Sequence, residues 1–170
     1  DGTRVNLNAA SELKYVDDIE NSKRIVYLTG EAFFDVAKDK TKPFMVITKG
    51  ISTTALGTSF NIKAYSDDPL VKVLLMTGKV GVEYLSAKAR GLILNPGMGA
   101  EYDSENGKLI AKDFNFEKEL GWKQGIIILD NVGFPEVINQ LERWYGVNIQ
   151  IQNKQKAGQW NYSGRFQNES

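Results

Sequence analysis

Acid-base and nucleophilic chemistry in this chain falls to carboxylates, lysines and hydroxyls, because its 170 residues include neither histidine nor cysteine. Without imidazole there is no Ser-His-Asp triad and no histidine-rich metal site. Without thiol there is no cysteine nucleophile and no thiolate cluster. Carboxylates gather twice, as Asp17, Asp18 and Glu20 and as Asp67 and Asp68 before Pro69. Neither group spaces its ligands as an oxygen-rich calcium loop does, and Asp-Asp-Pro is a common turn composition, so both read as solvated turns. Ser11, Ser52, Ser59 and Ser86 have no histidine base. Ser11 with Lys14 forms S-E-L-K, but outside the helical context that a Ser/Lys nucleophile uses. The stretch N-P-G-M-G-A-E lacks the lysine and the following helix of a phosphate cradle. The residues therefore give no catalytic group, no metal set and no cofactor site. A carboxylate-dependent hydrolase is the enzymatic alternative, and no separated acid pair supports it.

Recognition chemistry is better represented. Arg143, Trp144 and Tyr145 stand together in L-E-R-W-Y-G-V-N-I, and Trp160, Tyr162 and Phe166 flank Arg165 near the end of the chain. Aromatics beside arginine are what interface hot spots use. Trp144 is expected to anchor its helix on its own sheet, leaving Arg143, Tyr145, Trp160, Tyr162, Arg165 and Phe166 as candidate partner-binding residues. Twenty-one basic residues balance twenty-one acidic ones, so nothing draws the chain toward nucleic acid or an anionic membrane. A carbohydrate-binding β-module without catalysis is the alternative for the aromatics. No apolar run reaches the roughly 18 residues of a membrane span, and the abrupt ends suggest a soluble piece of a longer protein.

These side chains need elements to hold them. From residue 1 to about 112 apolar residues alternate, as in Val5 and Leu7, Ile25 and Tyr27, Phe60 and Ile62, Val71, Val73 and Leu75, and Val80, Val82 and Tyr84. That is the pattern of strands with one buried face. Gly2, Gly30, Gly57, Gly78 and Gly97 each lead an alternating stretch, suggesting stacked coils or a roll of strands, with positive φ at each glycine; an ordinary all-β domain with glycines before its strands fits equally. After Asp113 the pattern changes. Ile126–Leu129 reads as a strand broken by Asp130 and Asn131, and Pro135 and Gly146 bracket a helix over 134–145. Val147, Ile149 and Ile151 alternate as a second strand, and Trp160–Phe166 forms a third with an open edge. The expectation is a mainly β chain: an all-β region over 1–112, a joint over 113–124, and a partial α+β (βαβ) module over 125–170, truncated at its end.

The blocks L-N-A-A-S-E-L-K-Y, I-V-Y-L-T-G-E-A-F-F-D-V, K-P-F-M-V-I-T-K-G, A-L-G-T-S-F-N-I-K-A-Y, T-G-K-V-G-V-E and L-N-P-G-M-G-A-E-Y-D, in this order, resemble the periplasmic domain of ferric citrate regulator-type (FecR-family) anti-sigma factors. The later W-K-Q-G-I-I-I-L-D-N and F-P-E-V-I-N-Q-L-E-R-W-Y-G-V-N-I resemble that family's C-terminal part, itself similar to the secretin/TonB short N-terminal fold. The resemblance covers nearly the whole chain. It implies the periplasmic part of a single-pass inner-membrane protein. That part would bind the N-terminal signalling domain of a TonB-dependent outer-membrane transducer and relay the signal to an extracytoplasmic-function (ECF) sigma factor held by a cytoplasmic segment. It implies no catalytic residues, metal or cofactor, no nucleic-acid partner and no direct membrane contact by this piece.

Overall fold

The computed structural model of the chain describes residues 1–18, 23–86, 90–152 and 160–167. Two compact units make up the chain, Asp1–Phe114 and Asn115–Ser170.

Among its described residues the first unit holds eleven strands: β1 (Arg4–Leu7), β2 (Glu12–Asp18), β3 (Lys23–Asp35), β4 (Phe44–Ile47), β5 (Ile51–Ala55), β6 (Ser59–Ala64), β7 (Leu70–Thr77), β8 (Val80–Tyr84), β9 (Leu92–Leu94), β10 (Gly99–Asp103) and β11 (Lys108–Lys112). The long β3 belongs to both halves of the sheet. Its first half pairs with β2 and, in parallel, with β4; its second half pairs with β1 and β6. The pairing runs β11-β10-β7-β6-β3-β4-β5-β8-β9, so the sheet folds over at β3 into a two-layered roll. The ends of that path meet: the Leu109 amide of β11 donates to the Tyr84 hydroxyl of β8 at 3.0 Å, and Tyr84 stands edge-on to Tyr102 of β10, centroids 6.0 Å apart.

Gly30 marks the fold in β3. It takes φ +104, and a Cβ there would lie 2.6 Å from the Ser11 backbone Cα, so only glycine lets the turn before β2 press against β3. All five glycines expected at positive φ adopt it, between +83 and +131. Four of them precede strands; Gly30 bends one. The apolar phase of the strands closes the core, with Phe34, Phe60, Ile62, Val71, Val73 and Leu75 facing Val46, Ile51, Val80, Val82 and Leu94. At roughly 25 cal/mol per Å² this burial dominates the unit's stability. In β3, though, Val26 and Leu28 point inward, while Ile25 and Tyr27 point out. Both phases of that stretch are apolar, so alternation alone does not decide its register.

The second unit contains α1 (Phe116–Leu120), a 3-10 turn (Gly121–Gln124), β12 (Ile126–Gly133), α2 (Phe134–Tyr145) and β13 (Asn161–Gln167). Most of the joint expected over 113–124 is thus helical, from 116 to 124, and α1 is capped by the Asn115 side chain. Helix α2 spans the expected residues, with Pro135 in its first turn and Gly146 left-handed at its end. Two details differ from expectation. Strand β12 does not stop at Asp130; it bulges there, with Asn131 at φ +51, and continues to Gly133. Val147–Gln152 form no strand, because the Val147 amide turns back to the Glu142 carbonyl at 3.2 Å and the Ile149 amide to the Glu142 carboxylate at 2.7 Å. Strand β12 pairs instead with β13, antiparallel.

Candidate functional site

The candidate recognition residues lie on β13 and the end of α2. Register puts Ile127 opposite Phe166, Leu129 opposite Gly164 and Val132 opposite Tyr162. These pairs share the face on which Val137, Leu141 and Trp144 of α2 pack. Tyr162 is half-buried there, its ring 5.8 Å from Phe134. It therefore belongs to the core of the unit, whereas Phe166 and Trp160 are 53% and 66% exposed. Gly164 leaves room for the Phe166 ring, which a Cβ would meet at 3.1 Å. Arg165 points to the other face and pairs with Glu117 of α1 at 2.7 Å, both side chains exposed. Tyr145 is exposed and Arg143 half-buried in the last turn of α2, where a cation complements the helix dipole.

The bulge is tied to β13 by side chains that sequence reading missed. The Asn131 amide donates to Ser163 Oγ at 3.0 Å, and Asn161 Nδ2 donates to Asn131 Oδ1 at 3.0 Å. Among the described residues no third strand joins this sheet, so β13 keeps an open edge. An Asn tolerant of left-handed geometry, following Asp, was the available signal for the bulge.

The chemical candidates resolve into structure. Ser11 Oγ accepts from the Glu31 amide at 2.8 Å and donates to the Ala9 carbonyl at 3.2 Å, which fixes a turn. Asp68 caps its own turn by accepting from the Leu70 amide at 2.9 Å. Glu20 lies outside the described residues, as do the side chains of Asp17 and Asp18. Among the described residues no three Asp, Glu, His or Cys side chains gather as metal ligands. Two carboxyls sit below the ordinary Asp value: Asp39 through hydrogen bonds from the Thr41 hydroxyl and amide, and Asp103 through those of the Asn106 side chain and amide. Both side chains are partly exposed, Asp39 ahead of a bend and Asp103 at the end of β10.

Two buried charged residues escaped the sequence reading. Arg24, at the head of an apolar run, donates to the Asp1 carboxylate and, at 2.9 Å, to the Lys42 carbonyl, and its guanidinium lies 5.5 Å from the centre of the Phe44 ring. Glu31 accepts from Asn8 at 2.8 Å and from Asn61 at 2.9 Å. Both knit segments together. An open cleft of about 390 Å³ lies where β4 and β6 part from β3, bordered by Tyr27, Ile47, Thr48, Lys49, Ala64 and Ser66.

Residues 1–81 match the family described as FecR protein, and residues 126–170 match that described as FecR, C-terminal. No curated protein matches the chain. Two crystal structures from Parabacteroides distasonis ATCC 8503, each assigned as an anti-sigma factor, share its architecture. The one at 1.65 Å resolution is 33% identical with a TM-score of 0.83, and the one at 2.50 Å is 34% identical with a TM-score of 0.85. Each alignment covers 100% of this chain and 78% of the other. An all-β roll joined to a small α+β unit, matched by both families in the same order, places this chain in the FecR family of anti-sigma factors, proteins of regulatory signalling.

Proposed function

We propose that this chain is the periplasmic sensing part of a membrane-anchored anti-sigma factor. In this reading it binds the N-terminal signalling domain of a TonB-dependent outer-membrane transducer and relays that event to an ECF sigma factor held by a cytoplasmic segment of the same protein. The observation that carries the reading is the open edge of β13, bounded by the exposed rings of Trp160 and Phe166. A partner strand added to such an edge gains main-chain hydrogen bonds, and aromatic anchors at either end fix its register. Arg165, with Arg143 and Tyr145 beyond the strand, supplies the polar rim, while Tyr162 holds β13 in place.

The test is calorimetric titration of the chain with the signalling domain of the transducer encoded in the same genome. Saturable one-to-one binding is expected, with Trp160→Asp and Phe166→Asp each weakening it at least roughly tenfold, about 1.4 kcal/mol. Circular dichroism of both variants should match the native chain. Native-like affinity in both would remove β13 from the interface.

A further inference from the structure

An antiparallel layer that faces water normally alternates to polar residues on its outer side. The layer built from β2, β3, β4, β5 and β8 does not. Register places Val16, Ile25, Met45, Thr54 and Gly81 in one outward cross-strand row, which the exposed Ile93 of β9 extends beyond Gly81, and Lys14, Tyr27, Ile47, the buried Ser52 and Glu83 in the next. Val16 and Tyr27 are 44% and 46% exposed; Ile25, Met45 and Ile47 are half-buried on the same side.

The two rows are arranged about β4 in a particular way. On the β2 and β3 side stand the large residues Val16, Ile25 and Tyr27, with the cation Lys14 at the edge. On the β5 and β8 side stand the small residues Thr54, Gly81 and Ser52, with the anion Glu83 at the edge. A Cβ added at Gly81 would meet nothing within 4 Å, so the space above it is open. At about 4.8 Å between strands, Lys14 and Glu83 each lie roughly 10 Å from Ile47, on opposite sides.

We propose that this face binds a second copy of the same chain, about a twofold axis lying along β4 between the two layers. Such an axis leaves each row in register with itself and exchanges its ends. Ile47 and Met45 then meet their own copies, and Tyr27 covers Ser52 of the other chain. Ile25 covers Thr54 and Val16 fills the space over Gly81. Lys14 faces Glu83, and by symmetry this happens twice. Away from the axis large meets small, at the ends of the second row plus meets minus, and a chain with equal numbers of basic and acidic residues meets no net repulsion. The contact of Lys14 with Glu12 at 3.2 Å is exposed on both sides and competes weakly. Five strands give a face about 20 Å wide, at the small end of specific interfaces, so the dimer is weak and concentration-dependent. This surface belongs to the first unit alone, and the proposal does not depend on what β13 binds.

Sedimentation equilibrium of the whole chain from micromolar to millimolar concentration tests the proposal. A monomer–dimer equilibrium is expected. Ile47→Lys sets two ammonium groups on the axis and should abolish the dimer. Lys14→Glu or Glu83→Lys alone turns two attractions into repulsions and should weaken it roughly tenfold. The double exchange should restore it, since plus again meets minus. All these positions are outward-facing, and circular dichroism checks that each variant folds. A chain that stays monomeric to millimolar concentration overturns the proposal, as does a dimer that Ile47→Lys leaves intact or a double exchange no tighter than the single ones.

Discussion

Gly30→Ala tests whether the close approach of the Ser11 turn to β3 holds the first unit together. At φ +104 an L-residue costs about 1–3 kcal/mol. The added methyl would sit 2.6 Å from Ser11 Cα and 2.4 Å from its Oγ, a contact the backbone cannot evade by rotating a side chain. Overpacking of this kind costs about 1–3 kcal/mol. Displacing Ser11 also weakens its hydrogen bond from the Glu31 amide, worth about 1 kcal/mol. Alanine's smaller unfolded-state entropy returns about 0.4–1 kcal/mol. The net loss is about 2 to 6.6 kcal/mol, a large share of the roughly 5–15 kcal/mol that keeps a domain folded. Urea unfolding followed by far-UV circular dichroism, which the β-rich first unit dominates, measures it. Gly107→Ala is the control, because Gly107 has φ +62 but open space around its Cα. It carries only the conformational cost. If Gly30→Ala proves no more costly than Gly107→Ala, the Ser11 contact is not what fixes the bend.

The other predictions concern single contacts. Arg24→Met leaves the Asp1 carboxylate and two buried carbonyls without their donor, and should cost about 2–3 kcal/mol in urea unfolding; Arg24→Lys should not rescue it, since one ammonium cannot span those acceptors. Tyr84→Phe removes the acceptor for the Leu109 amide, and should cost about 1 kcal/mol and speed hydrogen exchange at that amide; unchanged exchange would mean that the sheet is not fastened there. Asp39 and Asp103 have folded pKa values below 3.8, so each should contribute stability in full above that value and lose it as pH falls through the lowered one. Carboxyl titration by NMR checks both, and Thr41→Ala should return Asp39 toward its ordinary value.

What the sequence made legible follows from how many physical signals agreed. Helix α2 carries three: a 3.6-residue apolar stripe, Pro135 in the first turn and Gly146 after the last. Its boundaries were readable as a result. Strands β6 and β8 have one apolar phase and one polar or small phase, so their inward faces were readable too. Around β3 the residues Ile25, Val26, Tyr27 and Leu28 offer two apolar phases, and the choice is made by Arg24, whose burial depends on partners as distant as Asp1 and Lys42. Val147, Ile149 and Ile151 alternate like a strand, yet alternation says nothing about where a pairing partner lies. Glu142 captures two of that segment's amides, and β12 finds β13 instead. The same ignorance of pairing hid Tyr162, which looks from sequence like its neighbours Trp160 and Phe166. Only the register opposite Val132 turns it toward the core.

That difference bears on how the second unit would signal under the proposed function. Its core is small, with Ile127, Leu129, Val132 and Val137 buried and Leu141, Trp144 and Tyr162 packed at the margin. A two-stranded sheet is marginal on its own and relies on what covers it. Here α2 lies over one face, while the other is crossed at Glu117 by the exposed ion pair with Arg165, worth at most about 1 kcal/mol. The described edge of β13 has none of the usual protection: no proline or lysine stands in it, and its bulge is on the partner strand. An added strand would lengthen the sheet where it is weakest, and would cover the exposed part of Phe166. Part of the binding free energy would then appear as stability of the unit itself. Coupling of this kind lets a small unit report occupancy by becoming more ordered.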